Sequence, residues 1–300
     1  MLNPILSDWE FALFSANIHQ FFPTMSWEEH DTLYDKWRTF HHRVRPPLAL
    51  TVVNIDQLRT LKPGILTLFH LGCHLESPIA LADSGLVFDI ILDEQVYTTS
   101  RDVLNDMLQK INDLGQGSYT FLFSSDPKLL LKCRSSFKKG KHVLVFADGS
   151  SGSNESNKDL RTRVPFLAGH LCCKQGIPRL AFIFDVKIYP FVTTQNHTNA
   201  TSLELQSIIA PKSGQKKDDF TRTALTALYR MLERAIQNNP WRWECWSYLH
   251  SNGMLDTDLG SRNEQFACQG PYLFVRARKG FCLFDRRYYC VQEINLSRDS

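Results

Sequence analysis

ILTLFHLGCHLESP, residues 65–78, is the stretch on which the fold turns. Its first five residues are apolar or β-branched with no charged break, as in a strand buried on both faces. Gly72 lies in the loop that follows, and Ser77-Pro78 is the natural start of a helix. Serine caps the free amides of a first turn, and proline fits the first helical position. A strand leading through a loop into a helix is the repeating unit of an α/β sheet. His70 sits at the carboxyl end of that strand, where such sheets place their ligands.

The same grammar extends in both directions. Short β-branched or aromatic runs predict strands at Ala49 to Val53, Val87 to Leu92, Tyr119 to Phe123, His142 to Ala147, Leu180 to Val186 and Leu203 to Ile209. Helical periodicity falls between them, at Arg101 to Leu114, Pro127 to Lys138 and Asp218 to Asn238. The expected fold is therefore an α/β layered domain with a mostly central β-sheet flanked by helices. Ahead of it, Asp8 to Phe22 reads as an amphipathic helix. Ser26 with Glu29 forms a capping box for a second helix, which Arg45-Pro46-Pro47 ends. Trp9, Phe11, Phe14, Phe21 and Phe22 in this pair are expected to cover a core, in preference to meeting a membrane surface or an acyl chain. Beyond Trp246, alternating strands at Tyr272 to Val275, Phe281 to Phe284 and Tyr288 to Ile294 predict a small C-terminal β appendage. The expected division is residues 1–250, with helices in 1–47, and an appendage in 251–300.

Composition narrows the functional classes. The 300 residues are 43% hydrophobic and 22% charged, with a net charge of +3. The cations are spread along the chain instead of forming an arm, so nucleic acid is excluded as a first reading. No stretch approaches the roughly 18 apolar residues of a membrane span, which predicts a cytoplasmic protein. Eight cysteines occur without a C-x-x-C pair, which points to packed thiols and to no metal site.

Four stretches carry chemical groups. His70 ends a strand and Glu76 follows within a turn or two, a general base with an orienting acid; His74 is the alternative base. In VLVFADGSSGS, residues 143–153, a second strand ends in Asp148, and the small-residue loop after it, Gly149, Ser150 and Ser151, offers backbone amides to a ligand. Arg163 begins a third stretch, Arg163 to Gly169. Pro240, Trp241, Trp243 and Trp246 follow a long helix, and such tryptophans more often pack a core than bind a substrate.

Taken in order, His-Leu-Gly at 70–72, SSDPKLLLKCRSSFKKGKHVLVFADGSSGS at 124–153, VPFLAGHLCCKQGIPRLAFIF at 164–184 and LYRMLERAIQNNPWRWECW at 228–246 resemble the lysophospholipid acyltransferase superfamily, in particular its lipid A late acyltransferases. The resemblance covers about residues 50–250. It implies a His-x4-Asp/Glu general base, mapped onto His70 with Glu76 one residue further than the family spacing. It also implies an acceptor loop mapped onto Asp148 and Gly149, with Ser150, Ser151 and Arg163 as further substrate contacts. The implied donor is acyl carrier protein or a coenzyme A thioester, the acceptor a hydroxyl or amine, and no cofactor or metal is required. The family's N-terminal membrane span has no counterpart in this sequence, so the expected contact with the inner membrane is peripheral. Two other readings stand beside this one: a non-catalytic protein of the same fold that binds an acylated carrier, and a hydrolase using Ser150 or Ser151. In a regular helix residues six apart point about 240° from each other, so a His70–Glu76 pair requires the helix to begin no earlier than Ser77.

Overall fold

The computed structural model describes residues 8–41, 50–149, 160–195, 201–255, 270–277 and 280–294. The chain opens with helices α1 (Trp9–Phe21) and α2 (Trp27–His41), then strand β1 (Leu50–Val52) and helix α3 (Ile55–Arg59). Next come β2 (Ile65–Leu68), α4 (Glu76–Asp83), β3 (Phe88–Leu92), α5 (Glu94–Thr99), α6 (Arg101–Leu114), β4 (Phe121–Phe123), α7 (Leu129–Lys138) and β5 (His142–Phe146). The remainder comprises β6 (Arg161–Phe166), β7 (Gly169–Lys174), α8 (Gly176–Phe184), β8 (Ile188–Gln195), β9 (Thr201–Leu205) and α9 (Lys217–Ile236). Two short 3₁₀ turns lead to β10 (Tyr272–Ala277), β11 (Gly280–Asp285) and β12 (Cys290–Ile294). Among the described residues no helix is long and apolar enough to cross a membrane.

Two compact units result. One comprises Val44–Val164 and Cys173–Asn239, the other Met1–Arg43, Pro165–Cys172 and Pro240–Ser300. The expected division after residue 250 is not where they separate: the N-terminal helices share a unit with the C-terminal sheet, and residues 240–250 go with them.

The first unit holds a seven-stranded sheet in the order β1-β9-β8-β2-β5-β3-β4. β2 lies at its centre, parallel to β5 on one side and to β8 on the other; β5 is parallel to β3, and β3 to β4. β8 and β9 are antiparallel, and β1 runs parallel to β9. Side chains alternate between the two faces of the inner strands, and both faces are covered. Leu66, Leu68, Phe88, Ile90 and Leu144 pack on one face with Leu81 and Ala82 of α4 and Leu104, Met107 and Ile111 of α6. Val143 and Leu122 pack on the other face with Cys133 of α7, against Phe137 and Phe184. Chain direction explains this: α4 carries the chain from β2 one way across the sheet to β3, and α8 carries it from β5 the other way to β8. Right-handed crossovers therefore put these helices on opposite faces.

Residues 180–186, expected as a strand, are a correction. Gly176–Phe184 is the helix α8, with Ile177, Pro178 and Ala181 buried on one side and Ile183 exposed, and Asp185 ends it in the left-handed region at φ 51°. A short apolar run satisfies either period, and only the helical one gives Ile183 to solvent. The central strand in this region is β8, further along. Gly64, just before β2, has room for nothing larger: a Cβ there would lie 2.5 Å from the Lys187 carbonyl oxygen and 2.6 Å from the Tyr189 ring.

The second unit is built on aromatic packing. The capping box forms as the sequence predicts: the Ser26 amide donates to Glu29 Oε2 (2.8 Å) and the Glu29 amide to Ser26 Oγ (3.3 Å). Phe11, Phe14 and Phe21 are buried, as are Trp37, Trp243 and Trp246, so these rings are core. Polar edges of the buried tryptophans are satisfied by backbone: Trp37 Nε1 donates to the Trp243 carbonyl (3.2 Å) and Trp246 Nε1 to the Pro240 carbonyl (2.7 Å). The C-terminal strands form an antiparallel sheet in the order β10-β11-β12, and Val275, Cys282 and Phe284 pack on Ala12 and Ala16 of α1. Arg286 is buried with its guanidinium 4.1 Å from the Trp27 ring centre, and it donates to Ser15 Oγ at 2.9 Å. Ser15 Oγ in turn lies 2.7 Å from His30 Nδ1, and His30 Nε2 is buried without a partner. Desolvation, then the nearby Arg286 charge, push the pKa of His30 down to about 3. The cysteines among the described residues are all free thiols.

Candidate functional site

The site follows from the pairing of β2 with β5. Their register sets Ile65 beside Val143 and Leu68 beside Phe146, and the Ala147 amide continues the ladder to the Leu68 carbonyl at 2.8 Å. Carried two residues beyond the last strand pair, the same offset brings residue 70 to residue 148. The geometry agrees. His70 Nδ1 lies 2.8 Å from Asp148 Oδ1, while the His70 backbone amide donates to Oδ2 (3.0 Å) and Oδ1 (3.2 Å) of the same carboxylate. Asp148 is buried and the imidazole is partly exposed. Burying a carboxylate is costly unless it accepts strong hydrogen bonds, and here it accepts from both the ring and the backbone of one residue.

After these two strand ends the chain goes on to helices on opposite faces of the sheet, to α4 after β2 and, following β6 and β7, to α8 after β5. A parallel sheet opens a crevice at such a place. The cleft here has a volume of about 270 Å³, and His70, Asp93, Ser124, Gly149 and Lys174 are the polar residues and backbone groups in its lining. Aliphatic side chains from four elements form much of the rest, among them Ile91, Leu92, Val96, Leu129, Ile177 and Leu180. The surrounding loops are tied down. Thr193 Oγ1 of β8 donates to the Leu71 carbonyl (3.0 Å), the Tyr229 hydroxyl of α9 donates to the Ala147 carbonyl (3.0 Å), and Gly72 adopts φ 61°, a conformation that favours glycine.

The carboxylate beside His70 is therefore Asp148 and not Glu76, a correction to the orienting role expected for Glu76. The physical reason is the helix start. α4 begins at Glu76, ahead of Ser77, so the loop that a His70–Glu76 pair requires is too short. Glu76 makes no hydrogen bond or ion pair with His70 and instead lines a separate groove between α4 and α6. His74 sits next to His70, ring centres 5.2 Å apart, and both rings approach Phe146. Desolvation, followed by repulsion from His70, holds the pKa of His74 near 3. Such a ring is a poor proton acceptor at neutral pH. Gly149 lines the cleft; Ser150 and Ser151 lie outside the described residues. Arg163 is exposed on β6 and is not among the cleft-lining residues.

The aliphatic wall that α8 supplies is not legible in the sequence, because its short apolar run satisfies the strand period as well as the helical one. Both members of the dyad are visible there, but the resemblance assigns Asp148 to the acceptor. The signal was the matching form of two strands, each ending in a polar residue, whose parallel pairing aligns their ends.

Chemically, an ionised carboxylate only accepts hydrogen bonds, so the proton of a neutral His70 lies on Nδ1 and the basic lone pair on Nε2. The arrangement can act chemically as a base with its tautomer fixed, on the wall of a largely apolar cleft. No protein-family model matches the chain, and a search of curated proteins finds no match.

Proposed function

We propose that this chain is an acyltransferase that moves a fatty-acyl group from a thioester to a hydroxyl or amine. The observation that carries the reading is the His70–Asp148 pair opening into a cleft with an aliphatic wall, a base beside a place for an acyl chain. The sequence resemblance over residues 50–250 supports it independently.

In this mechanism His70 Nε2 takes the proton of the acceptor as its oxygen or nitrogen attacks the thioester carbonyl carbon. Asp148 keeps the proton on Nδ1 and stabilises the imidazolium that forms. A backbone N–H or a cation at the cleft stabilises the developing oxyanion. The carbon–sulfur bond then breaks, and the imidazolium proton goes to the leaving thiolate. Acyl carrier protein or coenzyme A carries the donor, and the chain works in the cytoplasm, at most peripherally on the inner membrane.

The test is incubation with a long-chain acyl-coenzyme A and hydroxylamine as a small acceptor, reading thiol release and the intact mass of the protein. Turnover with no mass adduct is the expected result. A stable acyl adduct would put a nucleophile such as Ser150 or Ser151 in charge. Binding without turnover would make the cleft an acyl-binding site only.

A further inference from the structure

The groove that holds Glu76 is unrelated to the dyad, and its surface is not that of an ordinary solvated face. It runs between α4 and α6, encloses about 380 Å³ and has Ile79, Ala80 and Met107 along it. Val103 and Leu114 mark its length on α6, and they are 54% and 52% exposed. Eleven residues of helix separate them, roughly 16 Å. The rim is acidic. Asp106 is paired with Lys110 at 2.7 Å, and among the described residues Glu76 and Asp83 have no ion-pair partner. An exposed apolar strip of this length with unpaired carboxylates fits an amphipathic helix carrying cations.

The opposite face of the same sheet presents such a helix. Residues 127–141 contain six cations, Lys128, Lys132, Arg134, Lys138, Lys139 and Lys141, and no acid. Lys132 is paired with Asp126 and Lys141 with the buried Asp89, so four exposed charges have no ion-pair partner among the described residues. α7 turns Cys133 and Ser136 inward and leaves Leu130 and Leu131 48% and 64% exposed. Its ten residues span roughly 15 Å.

From this match in length, apolar character and charge we infer that α7 of one copy docks into the α4–α6 groove of another. The two surfaces lie on opposite faces of the sheet, so the contact is heterologous: each copy offers one helix and one groove, and association proceeds head to tail. Because much of the complementarity is between exposed charges, it weakens as salt rises.

Sedimentation velocity of the full chain over a concentration series, at low and high salt, reads this directly. Salt-sensitive association beyond the dimer is expected. Leu131→Glu and Val103→Glu, each at a site more than half exposed, should each raise the dissociation constant at least about tenfold, with unchanged circular dichroism. The charge-reversed variants Asp83→Lys and Arg134→Glu should each associate poorly alone and recover when mixed, since each then supplies the complement of the other. A chain that stays monomeric at every concentration would assign the groove to another basic partner and overturn the inference. So would association that ignores both Glu substitutions, or reversed charges that do not recover on mixing.

Discussion

Asp148→Asn isolates what the carboxylate does for His70, because it changes charge and hydrogen-bonding pattern while keeping the shape. The native carboxylate accepts from Nδ1 at 2.8 Å and from the backbone amide at 3.0 and 3.2 Å. A carboxamide has only one accepting oxygen, so one of the two carboxylate positions becomes an NH₂ donor. If its oxygen stays with the backbone amide, its NH₂ donates to Nδ1 and drives the ring proton onto Nε2, removing the basic lone pair. If it turns over, an N–H faces an N–H, at a cost of about 1–3 kcal/mol for the unsatisfied donor. Loss of the correct tautomer should lower the rate of thiol release about 10²- to 10⁴-fold. The lost hydrogen bond should also show as a modest fall in melting temperature. Glu76→Gln, measured in the same hydroxylamine assay, should stay within about twofold of the native rate, as expected for a polar surface change away from the chemistry. A normal rate for Asp148→Asn, or a large loss for Glu76→Gln, would refute the assignment of the dyad.

Three further outcomes are expected. Leu180→Trp reduces the aliphatic end of the cleft and should raise KM for long acyl donors much more than for short ones; equal effects on all chain lengths would place the acyl chain elsewhere. Burial holds His30 near pKa 3 and His142 near 4, against 6.5 when unfolded, so the unfolded chain binds more protons in that window and stability is lost as pH falls below 6.5. Between pH 6.5 and 5 each should cost about 1.5 kcal/mol. Thermal melts at the two pH values check this, and His142→Gln should flatten the dependence. Gly64→Ala forces a methyl group against the Lys187 carbonyl and the Tyr189 ring and should cost about 1–3 kcal/mol in denaturant unfolding, whereas a neutral result would mean that β2 and β8 can part easily.

The periodic parts of the chain could be read directly. Residues 101–114 have an unbroken amphipathic stripe, and Ser26 and Glu29 make the capping box that their spacing announces. β2 and β5 are apolar runs bounded by polar ends, and both form. What escaped was set by tertiary context. Residues 176–184 are apolar enough for either period, and packing against α7 decides for a helix. β8 contains Pro190, which removes a ladder hydrogen bond and hides a strand that is nevertheless central. At the site, both dyad residues were visible as strand-end groups, but sequence distance favoured Glu76, six residues away, over Asp148, seventy-eight away. Only the order of strands makes the distant residue the neighbour.

That order also dictates when the pair can form. β5 enters the sheet between β2 and β3, two strands that precede it in the chain by more than fifty residues. Until residue 146 has been synthesised and inserted, β2 lacks its partner on one side, and it gains β8 on the other later still. A growing chain therefore carries Ile65 to Leu68, the most buried strand of the finished sheet, with both edges unpaired, the condition in which unfinished sheets adhere to one another. Slow, long-range closure of this kind makes the dyad a product of folding that is nearly complete. A chain truncated before β5 would hold His70 with nothing to orient it.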